Sequence, residues 1–412
     1  MPNIRLKSIT MRIGLFTDQY YPSISGVVTS IRMLYDGLVS LGHEVFIFTS
    51  FDEEMVDNPD EITKRNVINI PGKSYPFKDL KEYRFNFKHR KYIKLVAPYK
   101  LDIIHIHTEF SVAKIGRVSG KKLGIPIIHT LHTLYEDYIK YISEFADKYF
   151  HDVIFSSLAK MFMEPVSKDS IIEIVPTKKV LALVERYYMQ GDIRVVPTGI
   201  QLGRFNKSNY TLEEINHLRK YLKINENDFV YGYLGRTSGE KNIKTIIKAF
   251  SKISNKENTV LLIVGGGPEL DELQEFANSL GVLEYTRFTG LVPWDQAPIY
   301  YQVMDIFVNA SKSETQGLTY IEALASGLPL LVQRDDCIDD VVQDYYNGIY
   351  FDGEEELVKK MEEIQKVPTT LKQIKANTEL SVQKYSKEQY AKNIEAVYHD
   401  AIDIYKHGRK KK

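Results

Sequence analysis

A chain of 412 residues is too long for one ordinary hydrophobic core and suits two domains of roughly 200 residues each. Its apolar share of 43% is that of a folded protein, and 54 Lys and Arg against 54 Asp and Glu cancel, which argues against a nucleic-acid binder held by bulk charge. A single cysteine, Cys337, excludes an intramolecular disulfide framework and suits a reducing cytoplasm, and no apolar run approaches the roughly 18 residues of a membrane span.

Met1–Thr10 carries charge and no apolar signal core, so no secretory leader is expected there. Arg12–Thr17 reads as a first strand. A helical stripe of Val28, Ile31, Leu34, Leu38 and Leu41 follows, stopped by Gly42, and then the strand Val45–Thr49. Further apolar runs at Val67–Ile70, Ile103–Ile106, Ile125–Ile128, Ile171–Val175 and Arg194–Val196 lack alternation, as strands of a parallel sheet buried on both faces must. Pro197–Phe205 reads as a linker.

The pattern then restarts. Phe229–Leu234 and Val260–Val264 are strands flanking a helical stripe over Ile243–Ile253. Thr286–Thr289, Ile306–Val308 and Leu330–Val332 continue the series, with helices near 299–304 and 318–326. Helical repeats at 355–365 and 388–405 close the chain. Two βαβ series in tandem predict an α/β protein of two Rossmann-like domains, over 1–200 and 201–387, with parallel sheets facing across an interdomain cleft. The remainder, 388–412, is expected to be a helix and basic tail, the helix packing back on the first domain. Ligands of such sheets bind at the carboxyl ends of the strands, so the cleft is the expected site. Cys337 reads as a small side chain near an element end rather than a nucleophile.

The strongest signal is Ser313-Glu314-Thr315-Gln316-Gly317-Leu318-Thr319-Tyr320-Ile321-Glu322-Ala323-Leu324-Ala325-Ser326-Gly327-Leu328-Pro329. A carboxylate in a loop after a strand is followed by glycine and by a helix bearing a second carboxylate eight residues on. The free N–H groups and positive dipole at that helix start suit a phosphate. Glu314 could then reach sugar hydroxyls on one side of the phosphate, and Glu322 ribose hydroxyls on the other.

This stretch resembles the Glu-x7-Glu signature of the retaining glycosyltransferases of the GT-B fold, and the resemblance spans nearly the whole chain. It implies that Gly235-Arg236 and Glu240-Lys241-Asn242 match the segment whose Arg and Lys hold the donor diphosphate. Two cations there would offset charge on the leaving group. Gly265-Gly266-Gly267-Pro268 resembles the segment beside the nucleoside, and Thr289-Gly290-Leu291-Val292 the strand end whose backbone reads the base. Ser25-Gly26-Val27 resembles the glycine-rich loop that approaches donor phosphate and sugar. The donor-binding set so implied is Gly26, Val27, Gly235, Arg236, Lys241, Gly266, Gly267, Leu291, Glu314, Gln316, Gly317, Leu318 and Glu322. The implied catalytic residues are His132, Glu314, Arg236 and Lys241.

Two histidine segments end apolar strands: Ile104-His105-Ile106-His107-Thr108-Glu109-Phe110 and His129-Thr130-Leu131-His132-Thr133-Leu134-Tyr135-Glu136-Asp137-Tyr138. A metal site is not expected, for want of a third ligand at sensible spacing. His132 matches the family position beside the donor sugar. His107 and Tyr135 are expected on the acceptor side, and His105 and His129 read as structural.

Ser-Glu-Thr-Gln-Gly-Leu-Thr, His-Thr-Glu-Phe and the longer histidine segment are most similar to the bacterial diacylglycerol glucosyltransferases. That likeness implies transfer of glucose from UDP-glucose to the 3-hydroxyl of 1,2-diacylglycerol with retention, in glycolipid and lipoteichoic acid anchor synthesis. It implies no cofactor and no essential metal. A transferase acting on a soluble sugar or glucan would share every donor motif, and a sugar-nucleotide epimerase of the same fold would lack the Glu-x7-Glu stretch in this form. A nicotinamide enzyme is excluded, because the first strand leads into Asp18-Gln19-Tyr20-Tyr21-Pro22 instead of a glycine fingerprint. Finally, Lys73–Lys94 holds eight Lys or Arg against two acids, with Tyr75, Phe77, Tyr83, Phe85, Phe87 and Tyr92 interleaved, and five more cations lie in Lys406–Lys412. Such a segment suits peripheral docking on an anionic membrane, expected at its cytoplasmic face.

Overall fold

The computed structural model describes residues 10–21, 23, 25–53, 56, 59–74, 84–86, 89–132, 164–187 and 191–410. These form two compact units, one made of Met1–Gly199 with Lys387–Lys412 and the other of Ile200–Ser386.

In the first unit, β1 (Arg12–Phe16), β2 (Glu44–Thr49), β3 (Val67–Asn69), β6 (Ile103–Ile106), β7 (Ile127–Thr130), β8 (Ile172–Val175) and β9 (Asp192–Val195) form one parallel sheet in the order 3-2-1-6-7-8-9. The intervening β4 (Lys73–Ser74) and β5 (Arg84–Phe85) pair antiparallel as a separate ribbon. The sheet is covered on both faces, which is why its strands carry Ile and Val without alternation. Ile13, Leu15, Ile47 and Ile128 pack with helix Gly26–Ser40 on one face, and Phe16, Phe48, Ile104 and Ile106 with helix Ser111–Leu123 on the other.

The C-terminal helix, Lys387–Lys410, completes the first face. Tyr390, Ala391, Ile394, Val397, Tyr398 and Ala401 recur at helical spacing and are buried beside Ile31, Leu34 and Leu38. Burying side chains of this size contributes roughly 1.5–3 kcal/mol each, which ties the distant end of the chain to the first sheet.

The second unit contains β10 (Phe229–Leu234), β11 (Thr259–Val264), β12 (Thr286–Phe288), β13 (Ile306–Asn309), β14 (Leu330–Gln333) and β15 (Gly348–Phe351), all parallel, in the order 12-11-10-13-14-15. Val230, Leu262 and Phe307 face one core, and Tyr231, Ile263 and Val308 the other. Each sheet reverses its winding once, between β1 and β6 and between β10 and β13. At such a reversal the loops leave the strand ends in opposite directions and open a crevice.

The predicted linker at 197–205 contains the boundary between the two units, which falls after Gly199, and its second half is packed. Ile200 and Phe205 are buried in the second unit's core, and the Ile200 amide donates to the Tyr385 carbonyl at 2.8 Å. The strand predicted at 125–128 lies at Ile127–Thr130, because Gly124 in a left-handed cap ends the preceding helix and Ile125 closes onto the Gly120 carbonyl. The sixth strand of the second sheet, β15, was not predicted. Among the described residues no helix is long and apolar enough to cross a membrane.

Candidate active site

The second unit gathers the donor motifs at one edge. β10 ends in Gly235-Arg236 and β13 leads into the loop carrying Glu314, so both sit at the reversal of the sheet. Arg236 is exposed, its carbonyl accepting from the Tyr233 hydroxyl at 2.9 Å. Lys241 closes a short turn after β10, and its Nζ donates to Glu314 Oε1 at 2.7 Å. Ser311 and Ser313 hydroxyls donate to the Glu240 carbonyl at 3.3 and 3.2 Å, stitching the two loops together. The Lys and Glu motifs, 73 residues apart, therefore form one charged pair.

Gly317 caps the start of helix Leu318–Ala325 at φ 69°, and a Cβ there would stand 2.5 Å from the Tyr320 ring. Only glycine enters the helix in that way, leaving its first N–H groups beside Gln316, which is buried. Leu318 packs against the core under the same helix. On its inner turn Glu322 accepts from the Tyr301 hydroxyl at 2.8 Å. Burial pushes the Glu322 carboxyl up to about 7, against the opposing pull of Tyr301 and of the Arg204 charge.

The three loops after β10, β11 and β12 meet through glycine. A Cβ on Gly265 would lie 1.9 Å from the Gly235 carbonyl oxygen, and one on Gly267 2.4 Å from that of Thr237. Gly265 bridges to Gly290, and Gly266 lies against the Leu291 amide, whose side chain is 81% exposed. Close loop packing thus leaves no room for a side chain at Gly265 or Gly267. The same loop holds Trp294, over which the Arg204 guanidinium stacks 3.2 Å from the ring centre while donating to the Trp294 carbonyl.

The first unit gathers polar groups at its own reversal. β1 runs into Asp18, whose carboxylate accepts from the Thr108 hydroxyl and the Val112 amide, both at 2.7 Å. Burial raises Asp18 to about 6 against these bonds. Ser25 caps helix Gly26–Ser40, accepting from the Val28 amide. Val27 is buried, while no described atom lies within 4 Å of where a Cβ on Gly26 would stand.

β6 and β7, with the residues that follow them, carry four histidines with different charges. His107 Nδ1 and His132 Nε2 are hydrogen-bonded at 3.0 Å, and His107 Nε2 is buried with no partner among the described residues. Burial holds His107 well below the ordinary histidine value and takes half-buried His132 down to about 3, with repulsion from His129 adding to both. His129 goes the other way, to about 10. Burial opposes its charge, but Glu173 at 2.7 Å and Glu109 at 3.3 Å outweigh it. His105 is bonded to Thr130 and Tyr398. A neutral histidine pair thus lies beside a buried imidazolium held by two carboxylates.

Tyr135 falls outside the described residues, as do Tyr75, Phe77, Lys78, Lys81, Tyr83, Phe87 and Lys88 of the basic segment. Of that segment's described cations, Arg84 is engaged with Asp52, whereas Lys73, Arg90, Lys91 and Lys94 are exposed. Among the described residues no three His, Cys, Asp or Glu side chains are placed to share a metal ion. Sequence reasoning did not assign Asp18, Glu109, Glu173, Arg204, Tyr301 or Tyr398. One signal was present, the acidic Glu173 inside the apolar run Ile171–Val175.

Residues 24–204 match the model of Glycosyltransferase Family 4, and residues 214–381 that of Glycosyl transferases group 1. Over 95% of its length the chain is 39% identical to the alpha-monoglucosyldiacylglycerol synthase of Acholeplasma laidlawii, covering 98% of that protein. It is 36% identical to the alpha-monoglucosyldiacylglycerol synthase of Streptococcus pneumoniae, covering 86% of that one. Among solved structures, Anabaena HepE in complex with UDP and glucose matches 95% of this chain and 100% of its own with a TM-score of 0.73 at 16% identity, a likeness of fold. The chain belongs to the GT-B glycosyltransferases, in the family that includes the alpha-monoglucosyldiacylglycerol synthases.

Proposed function

We propose that the protein transfers glucose from UDP-glucose to the 3-hydroxyl of 1,2-diacylglycerol, with retention, to give α-monoglucosyldiacylglycerol. The observation that carries this reading is the end-to-end similarity to two alpha-monoglucosyldiacylglycerol synthases, which extends through the acceptor-side unit as well as the donor motifs.

The geometry supports a chemical account. Arg236, Lys241 and the N–H groups after Gly317 offset charge on the departing diphosphate. Glu314 accepts from sugar hydroxyls and Glu322 from the ribose. Gly26, Val27, Gly235, Gly266, Gly267 and Leu291 offer backbone close to the nucleotide. The bond from the anomeric carbon to phosphate oxygen breaks as the bond to the acceptor oxygen forms on the same face, and the acceptor proton passes to the diphosphate. In this reading His132 contacts the sugar, and His107 stands on the acceptor side behind it. No step draws on a metal. The exposed cations Arg90, Lys91 and Lys94 support docking at the anionic cytoplasmic face of the membrane.

The test is incubation with a panel of radiolabelled sugar nucleotides and detergent-dispersed diacylglycerol, with and without EDTA. A labelled α-glucolipid formed from UDP-glucose in both arms supports the reading. Label on a soluble sugar alone, or loss of transfer on chelation with recovery on adding Mg²⁺ or Mn²⁺, overturns the corresponding part.

A further inference from the structure

The C-terminal helix buries two tyrosines against the first sheet, and their hydroxyls have different partners. Tyr390 meets Ser30 at 3.1 Å, and Ser30 in turn meets Thr198 at 3.3 Å, among groups that only join helix to domain. Tyr398 instead meets a histidine. Its hydroxyl lies 2.9 Å from His105 Nδ1, and the other nitrogen of that ring lies 2.6 Å from the Thr130 hydroxyl. His105 is held at both nitrogens and fully buried, so its ring plane is set. The His107 ring lies over it with centroids 4.0 Å apart, and His107 Nδ1 is hydrogen-bonded to His132 Nε2 at 3.0 Å.

We propose that Tyr398, 293 residues distant in sequence from His105, is a positioning residue for the His107–His132 pair, acting through the His105 ring. The inference rests on the reading of His132 and His107 as groups that face sugar and acceptor. A tyrosine serving packing alone would leave a histidine's orientation to its own strand. Here a donor or acceptor on the last helix fixes the ring against which His107 lies, and His107 in turn is bonded to and stacked on His132. Loss of the hydroxyl leaves a buried imidazole nitrogen unpaired, and the ring can regain a partner only by turning.

The experiment compares Tyr398→Phe with Tyr390→Phe, the same chemical change on the same helix. Ring ¹⁵N signals of His107 and His132 are recorded in each folded protein, alongside kcat and donor KM for transfer. The expected result is altered His107 and His132 signals in Tyr398→Phe alone. With them comes a kcat reduced between about tenfold and a hundredfold, while donor KM stays within about twofold. Tyr390→Phe should lower the melting temperature with wild-type signals and kcat. If Tyr398→Phe does not fold, Thr130→Val removes the other partner of His105 from β7 and should give the same pattern. Unchanged ring signals in the folded variant, or changed signals with wild-type kcat, overturn the proposal. His132→Ala tests the underlying reading separately. If that variant retains full transfer, the site assignment fails even where the ring signals respond to Tyr398.

Discussion

Lys241 and Glu314 share a hydrogen-bonded ion pair of 2.7 Å at the winding reversal of the second sheet, with only 22% and 14% of their side chains exposed. The pair ties the loop after β10 to the loop after β13, so folding sets these two motifs against each other.

Glu314→Ala and Lys241→Ala should each cut transfer by at least roughly 100-fold, about 2.7 kcal/mol of transition-state stabilisation. The pair is partly solvated, so its loss should cost about 1 kcal/mol of stability or less. Transfer rates beside thermal melts check this. Activity above a tenth of wild type in a folded variant removes the residue from the site.

Glu322 supplies a pH signature. Its folded-state value, about 7, lies above the ordinary 4.5, so the native protein keeps a proton that the unfolded chain has released. Stability should therefore fall as pH rises from 4.5 to about 7, with a slope of at most about 1.4 kcal/mol per unit, and level off above. Glu322→Gln should flatten that slope in urea titrations. Nucleotide affinity should rise around pH 7 as the folded protein's carboxylate forms, and the Gln variant should lose the part due to this group.

His129 should behave with the opposite sign. Its value is raised from 6.5 to about 10, so its contribution is complete below 6.5 and fades as pH climbs towards 10. His129→Gln leaves Glu109 and Glu173 buried without their cation and should cost about 3–5 kcal/mol near pH 7. Denaturant midpoints from pH 6 to 10 check it. A gap between variant and wild type that does not narrow with rising pH would contradict the charged state.

Trp294 is the sole tryptophan, and Arg204 lies over its ring at 3.2 Å. Removing that stack in Arg204→Ala should red-shift the intrinsic fluorescence and weaken UDP binding by a few-fold, the scale of a partly buried cation–π contact at about 1 kcal/mol. Titration followed by the same emission reads both effects. Unchanged emission would mean that the stack does not form in solution.

Arg90, Lys91 and Lys94 are exposed on the segment that follows β5. Changing all three to Glu should reduce sedimentation with phosphatidylglycerol-rich vesicles, in line with roughly 1 kcal/mol per cation at an anionic leaflet, and leave hydrolysis of the donor unaffected. Wild-type protein should bind neutral vesicles weakly and release at high salt. Sedimentation of the triple variant like wild type would place the membrane contact elsewhere.

Local chemistry made much of this legible in the residues themselves. Ile- and Val-rich runs without alternation announce buried parallel strands, since a sheet covered on both faces admits no polar alternation. Gly317 before a helix and carboxylates at Glu314 and Glu322 carry their meaning in their spacing, because all lie on one loop and one helix. Residues brought together only by folding were not legible. The Lys241–Glu314 pair joins two strand ends, the charge of His129 depends on Glu109 and Glu173 from neighbouring elements, and Tyr398 reaches His105 across 293 residues. A histidine's charge is set by what surrounds it after burial. The four histidines of β6, β7 and the residues that follow them are alike in sequence, and tertiary structure alone makes one a cation and three neutral.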